Sequence, residues 1–131
     1  MRTLPLRLPP GAELRDALHA VLQAKGVEAA FVLAGIGSLS VAQLRLAGAD
    51  TPQRLRNDLE VLTLSGSIAP DGVHLHASIA DATGRVWGGH VAPGCIVRTT
   101  AEVLVALLPE WRLGRAADPA TGYAELTVQP R

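Results

Sequence analysis

Hydrophobic positions along this chain change period once. In residues 13–25, Leu14, Leu18, Val21 and Leu22 recur at helical spacing and form one apolar stripe. Glu13 suits the first turn of that helix, Lys25 its last, and Gly26 the position just beyond it. His19 lies off the stripe and reads as a solvated residue. Pro9-Pro10-Gly11 closes a short leading segment before the helix. From residue 29 the period turns to that of strands. Residues 30–33 are a short apolar run, interrupted by Gly35-Ile36-Gly37-Ser38, and residues 41–46 alternate. Residues 49–57 are polar, contain Pro52 and read as a loop. Residues 59–68 form a long strand candidate, and Pro70-Asp71-Gly72 a turn. Two further strands, 73–80 and 85–91, flank Asp81-Ala82-Thr83-Gly84. Residues 95–108 are apolar without clear period; a strand to about residue 100 and a short helix after it is the favoured reading. Residues 123–128 alternate and make a last strand.

This succession predicts a single α+β domain over residues 1–131, mainly antiparallel sheet packed with one or two helices. Hydrophobic residues make up 48% of the chain and aromatics 3%, so the core is aliphatic. Twelve basic residues balance twelve acidic ones. A zero formal charge argues against strong nonspecific binding to nucleic acid, which rests on a basic surface. One cysteine, Cys95, rules out an internal disulfide and favours a cytoplasmic setting. The first ten residues lack the apolar core of a signal peptide, and no run approaches the ~18 apolar residues of a membrane span.

Chemistry concentrates in the hairpin. Three of the four histidines, His74, His76 and His90, fall within it. Residues i and i+2 of a strand point to one face, so His74 and His76 share a side. The turn decides whether His90 joins them. Asp81-Ala82-Thr83-Gly84 fits a type I turn followed by a left-handed glycine, a three-residue loop with a bulge. In that register His90 falls opposite His76, Ser78 opposite Gly88 and His74 opposite Ala92. The other face pairs Leu75 with Val91, Ala77 with Gly89 and Ile79 with Trp87, a consistent core face. A two-residue loop would place His90 opposite Leu75, on the wrong face. Small neighbours leave a hollow over the imidazoles. Three imidazoles on one face favour a metal site over a solvated histidine face, and three neutral ligands leave a fourth tetrahedral position open, as in catalytic zinc.

Several segments in order carry a family resemblance: Phe31-Val32-Leu33-Ala34-Gly35-Ile36-Gly37-Ser38-Leu39, Glu60-Val61-Leu62-Thr63-Leu64-Ser65-Gly66-Ser67-Ile68, His74-Leu75-His76-Ala77-Ser78, Gly88-Gly89-His90-Val91 and Thr99-Thr100-Ala101-Glu102-Val103. Together they resemble the plants-and-prokaryotes-conserved (PPC) domain, over roughly residues 4–128. Arg115, Asp118, Thr121 and Gly122 resemble its closing segment. The resemblance implies a mainly antiparallel α/β fold, a homotrimer and zinc at the histidine cluster. It further implies a stand-alone regulatory protein of bacterial type, in a family linked to DNA binding. Plant members carry an AT-hook, an Arg-Gly-Arg-Pro element that enters the minor groove; this chain has none, so DNA binding is expected to be weak. The fold implied is similar to that of acetolactate decarboxylase, a zinc enzyme. The alternative function is therefore a metal-dependent lyase or hydrolase acting on a small carbonyl or carboxylate compound.

Other residues offer less. Glu60 matches a family glutamate and is a candidate general base or a partner to a metal ligand; an exposed charge at a strand start is the alternative. Gly35-Ile36-Gly37 lacks the third glycine and the following helix of a nucleotide loop. Ser38, Ser65 and Ser67 lack a nucleophile elbow. Arg98 and Glu102 suit a salt bridge or a subunit contact, and Cys95 a small buried hydrophobe.

Overall fold

A computed structural model describes residues 2–131. In chain order the elements are β1 (Arg2–Leu8), α1 (Leu14–Lys25), β2 (Ala30–Arg45), β3 (Gln53–Ala69), β4 (Gly72–Ala80), β5 (Val86–Val91), β6 (Ile96–Leu107), β7 (Trp111–Ala117) and β8 (Ala124–Pro130). The α+β class expected from the sequence holds: one helix packs on an antiparallel sheet.

Six strands form that sheet in the order β1-β6-β2-β3-β4-β5. β2 is long enough to serve two partners along one edge. It pairs with β6 as far as Val41↔Ile96, and its last residues take up β5 through Leu44↔Val91 and Arg45↔His90. That second pairing curls β2, β3, β4 and β5 into a closed loop of strands. Alternate residues of β4 (Val73, Leu75, Ala77 and Ile79) point into the core, with Leu75 fully buried. The helix contributes Leu14, Leu18, Val21 and Leu22 to the same cluster. Both ends of α1 are capped. The Glu13 carboxylate accepts from the Arg15 and Asp16 amides at 3.1 and 3.0 Å, and Gly26 closes the C-terminus in the left-handed region at φ 64°.

Three readings of these elements need correction, and the leading segment, assigned no element from its sequence, gains one. The leading segment is a strand, β1, whose whole length pairs with β6. The glycines at 35 and 37 do not interrupt β2, which runs through them with irregularities in its pairing to β6 between Val32 and Ala34 and again after Gly37. Residues 53–57, expected in a loop, open β3, and residues 53–56 pair with the end of β2. The short helix expected after residue 100 is strand. Sandwiched between β1 and β2, residues 101–107 satisfy their backbone groups on both sides, which outweighs the helix propensity of Ala, Glu and Leu.

β7 and β8 form a separate two-stranded ribbon in register from Trp111↔Pro130 to Ala117↔Ala124. Leu113 seals it against Ala29 and Ala69, with Phe31, Leu108 and Leu126 around them. Glu28 holds its base through Arg112 at 3.1 Å and Arg131 at 3.3 Å.

Candidate metal centre

The turn between β4 and β5 has the predicted build. Asp81 N–H donates to the Arg85 carbonyl, Gly84 N–H donates to the Asp81 carbonyl, and Gly84 sits at φ 84°. The Asp81 carboxylate accepts from the Thr83 amide and hydroxyl, the Arg85 amide and the Trp87 indole. Those hydrogen bonds, Thr83 and Trp87 foremost, hold its pKa below the usual range. The ladder then reads Ala80↔Val86, Ile79↔Trp87, Ser78↔Gly88, Ala77↔Gly89 and His76↔His90. It stops there. The expected pairs Leu75–Val91 and His74–Ala92 do not form, because β5 leaves β4 at His90 and joins β2.

All three imidazoles meet. One ring nitrogen from each of His74, His76 and His90 lies within 4.8 Å of the others. Ring centroids are 5.0 Å apart for His74 and His76, 5.2 Å for His74 and His90, and 5.9 Å for His76 and His90. Nitrogens sharing a tetrahedral zinc at ~2.0–2.1 Å stand about 3.3 Å apart, a gap that small side-chain rotations close. The Nδ1 of His90 is buried and has no hydrogen-bond partner among the described residues. An unpaired buried nitrogen costs about 1–3 kcal/mol, and a metal ion is one partner that relieves it. The protonation states also suit ligation. Burial, then the charges of His74, Arg45, Arg15 and His76, lowers the His90 pKa to about 4. Burial, then Arg115 and His76, lowers that of His74, with Glu125 opposing. Both imidazoles are neutral near pH 7, the form that binds metal. The donor set therefore fits a divalent transition metal and is compatible with metal binding.

Other candidates fall elsewhere. Glu60 is exposed and pairs with Ser38 and Ala80, four residues along β4 from His76 and about 13 Å away at the strand rise. It does not line the groove at the cluster. The Ser67 hydroxyl accepts from Arg115 at 3.1 Å, and the Ser38 hydroxyl is bonded to Thr99. Cys95 is fully buried, with Sγ against Gln43 and Ala92, and burial raises its pKa, as for a small core residue. Arg98 pairs with Asp58 at 2.7 Å rather than with Glu102. His19 is exposed, its Nε2 2.9 Å from the Pro70 carbonyl.

The sequence did not single out the charged groups around the cluster as site residues. Arg45 pairs directly with His90 across β2 and β5. Arg115 and Glu125, from β7 and β8, face His74 across a groove. Arg115 belonged to the segment carrying the family resemblance, which was a signal; Arg45 and Glu125 had none, being ordinary charges on alternating strands.

The sequence profile of the Plants and Prokaryotes Conserved (PCC) domain matches residues 1–109. Bifunctional protein GlmU of Synechococcus sp. (strain JA-2-3B'a(2-13)) is 51% identical over 99% of this chain. The match takes in 21% of that relative, so the chain spans about a fifth of its length. A hypothetical protein from Salmonella enterica superposes with a TM-score of 0.94 at 38% identity, covering 99% of this chain and 94% of that one. A metal-containing protein from Archaeoglobus fulgidus does so at 0.81 and 28% identity, covering 97% and 94%. A Ralstonia eutropha JMP134 protein, named as a candidate DNA-binding protein, reaches 0.79 at 26% identity, covering 94% and 89%. With the profile running from β1 through β6 and the histidine hairpin, the chain belongs to the Plants and Prokaryotes Conserved (PCC) domain family.

Proposed function

We propose that this protein is a zinc-binding regulatory member of its family, with His74, His76 and His90 as the ligands and the remaining coordination position open to a small anion. The observation that carries the reading is the meeting of three imidazoles with an unpartnered, buried Nδ1 on His90. The metal-containing Archaeoglobus relative supports it. The likeness to about a fifth of a longer bifunctional protein supports a module that works beside other domains rather than an enzyme in its own right. The working unit is a homotrimer in the cytoplasm. Leu33, Ile36, Leu62 and Leu104 are exposed on β2, β3 and β6, and an apolar surface of that kind supports association between copies. DNA is a secondary partner at most, resting on the Ralstonia relative's name and opposed by a zero formal charge.

A second reading, a metal-dependent lyase or hydrolase acting on a small carbonyl or carboxylate compound, draws on Glu125 beside the cluster. It, rather than Glu60, is the carboxylate within reach of a ligand at the metal. Metal analysis of protein purified without a histidine tag tests the main reading. About one zinc per chain, lost in His76→Ala and His90→Ala, is expected; metal-free protein that takes up no zinc on dialysis overturns it.

A further inference from the structure

We propose that the groove beside His74 is a receptor for a compact dianion, gripped by Arg45 on one side and Arg115 on the other. The inference rests on the metal-site reading for its place in the molecule and names the class of ligand that site takes. Two hollows of about 290 and 410 Å³ meet here, and His74, Arg115 and Glu125 line both. Arg45 and His90 complete the larger one. That space suits a small molecule rather than a polymer.

The charge of the groove sets the ligand. Among the described residues, arginine ion pairs join Arg98 to Asp58, and Arg112 and Arg131 to Glu28. Arg45 and Arg115 have no ion pair of this kind, and both line the larger hollow beside His74 and His90. Glu125 is the one carboxylate among the residues lining the two hollows. Two guanidiniums and one carboxylate leave one net positive charge on the lining of the groove, before any metal is counted, and the Arg15 guanidinium adds positive field from outside it. Unpaired guanidiniums gathered at one spot repel one another, and a doubly charged oxyanion offsets that repulsion.

The arginines are also built to grip. Arg115 is fixed at both ends: its amide donates to Asp71 Oδ2 at 3.0 Å, and its guanidinium donates to the buried Ser67 hydroxyl at 3.1 Å. That contact uses one of its five N–H donors and leaves the rest of the fork for a ligand. Arg45 is placed by the β2–β5 pairing, with its Cβ beside that of His90 on the same face. Arg15 is occupied elsewhere, donating to the Val91 carbonyl at 3.0 Å, and adds charge rather than a contact.

Calorimetric titration of malonate and of inorganic phosphate into the full chain, both chelator-treated and zinc-loaded, tests the assignment. Comparing the two probes separates a carboxylate source from a phosphate source. Saturable binding of at least one is expected, weakened tenfold or more in Arg45→Gln and in Arg115→Gln with zinc content unchanged. Arg45→Lys should retain part of the affinity, since it keeps the charge but not the fork. Among the described residues Arg45 has no ion pair to the β7–β8 ribbon, so its variants read ligand grip even where Arg115→Gln loosens the ribbon. Anion affinity that is unchanged in Arg45→Gln but lost in His76→Ala means that the metal alone holds the anion, and overturns the proposal while leaving the zinc reading intact. No saturable binding of either probe to either form also overturns it. Arginine-dependent binding by protein that takes up no zinc sustains it, and sinks the zinc reading instead.

Discussion

Gly89 lies directly against the backbone of Arg45: a Cβ on Gly89 would stand 2.7 Å from the Arg45 carbonyl oxygen and 3.2 Å from its carbonyl carbon. Only a residue without a side chain lets β5 close onto β2 here, and that closure sets Arg45 beside His90. Gly89→Ala should therefore cost about 1–3 kcal/mol, the usual range for overpacking against backbone that cannot yield. Denaturant unfolding measures the cost. Metal and anion affinity should fall with it, whereas Gly84→Asn, at a turn position with open space around it, should be far milder.

Replacing a histidine and replacing its strand neighbour should have opposite consequences. His76 is exposed, so His76→Ala should remove most of the bound zinc with little change in unfolding free energy of the metal-free chain. Leu75 is fully buried, and Leu75→Ala should cost about 2–5 kcal/mol by opening a cavity. Zinc content alongside urea midpoints for both variants distinguishes the two faces of β4.

Acid should weaken the metal-free fold through the cluster. The His90 pKa is about 4 in the folded chain against 6.5 for a free imidazole. Between those values the unfolded chain holds a proton that the folded one does not, so stability falls as pH drops through that window and levels off below it. His74 shifts in the same direction. Both groups are partly open to water, so the slope should be shallow. Urea midpoints measured from pH 7.5 to 4 should show it, and His90→Gln should flatten it. In zinc-loaded protein the same protonation should release the ion.

Duplex DNA should bind this chain weakly and with a steep salt dependence, since the formal charge is zero and no AT-hook is present. Fluorescence anisotropy at physiological salt checks this, and a sequence-selective nanomolar complex would contradict it.

Light scattering should report a mass of three chains. Leu33→Glu and Ile36→Glu, each placing a charge on the exposed apolar surface of β2, should shift it toward the monomer without unfolding the core. A monomeric wild-type chain would refute the trimer.

What the sequence by itself determined is local. The stripe of Leu14, Leu18, Val21 and Leu22 and the caps Glu13 and Gly26 specify α1 from interactions within a few residues. The β4–β5 register is likewise local: Asp81 and Gly84 dictate the loop, the loop dictates the pairing, and a period of two then brings His90 opposite His76. Only the tertiary structure decided the rest. Residues 101–107 carry mixed propensity, and they become strand because β1 and β2 offer hydrogen-bonding edges on both sides. β1 itself has meaning only against β6, some hundred residues away. The surroundings of the histidines are of the same kind. Arg45 arrives through the closure of β2 on β5, and Arg115 and Glu125 through a ribbon anchored at Ser67, Asp71 and Glu28. Charged residues on alternating strands look alike in sequence whether they face water or a binding groove. What separates them is which distant strand lies opposite, and that depends on the packing of the whole chain.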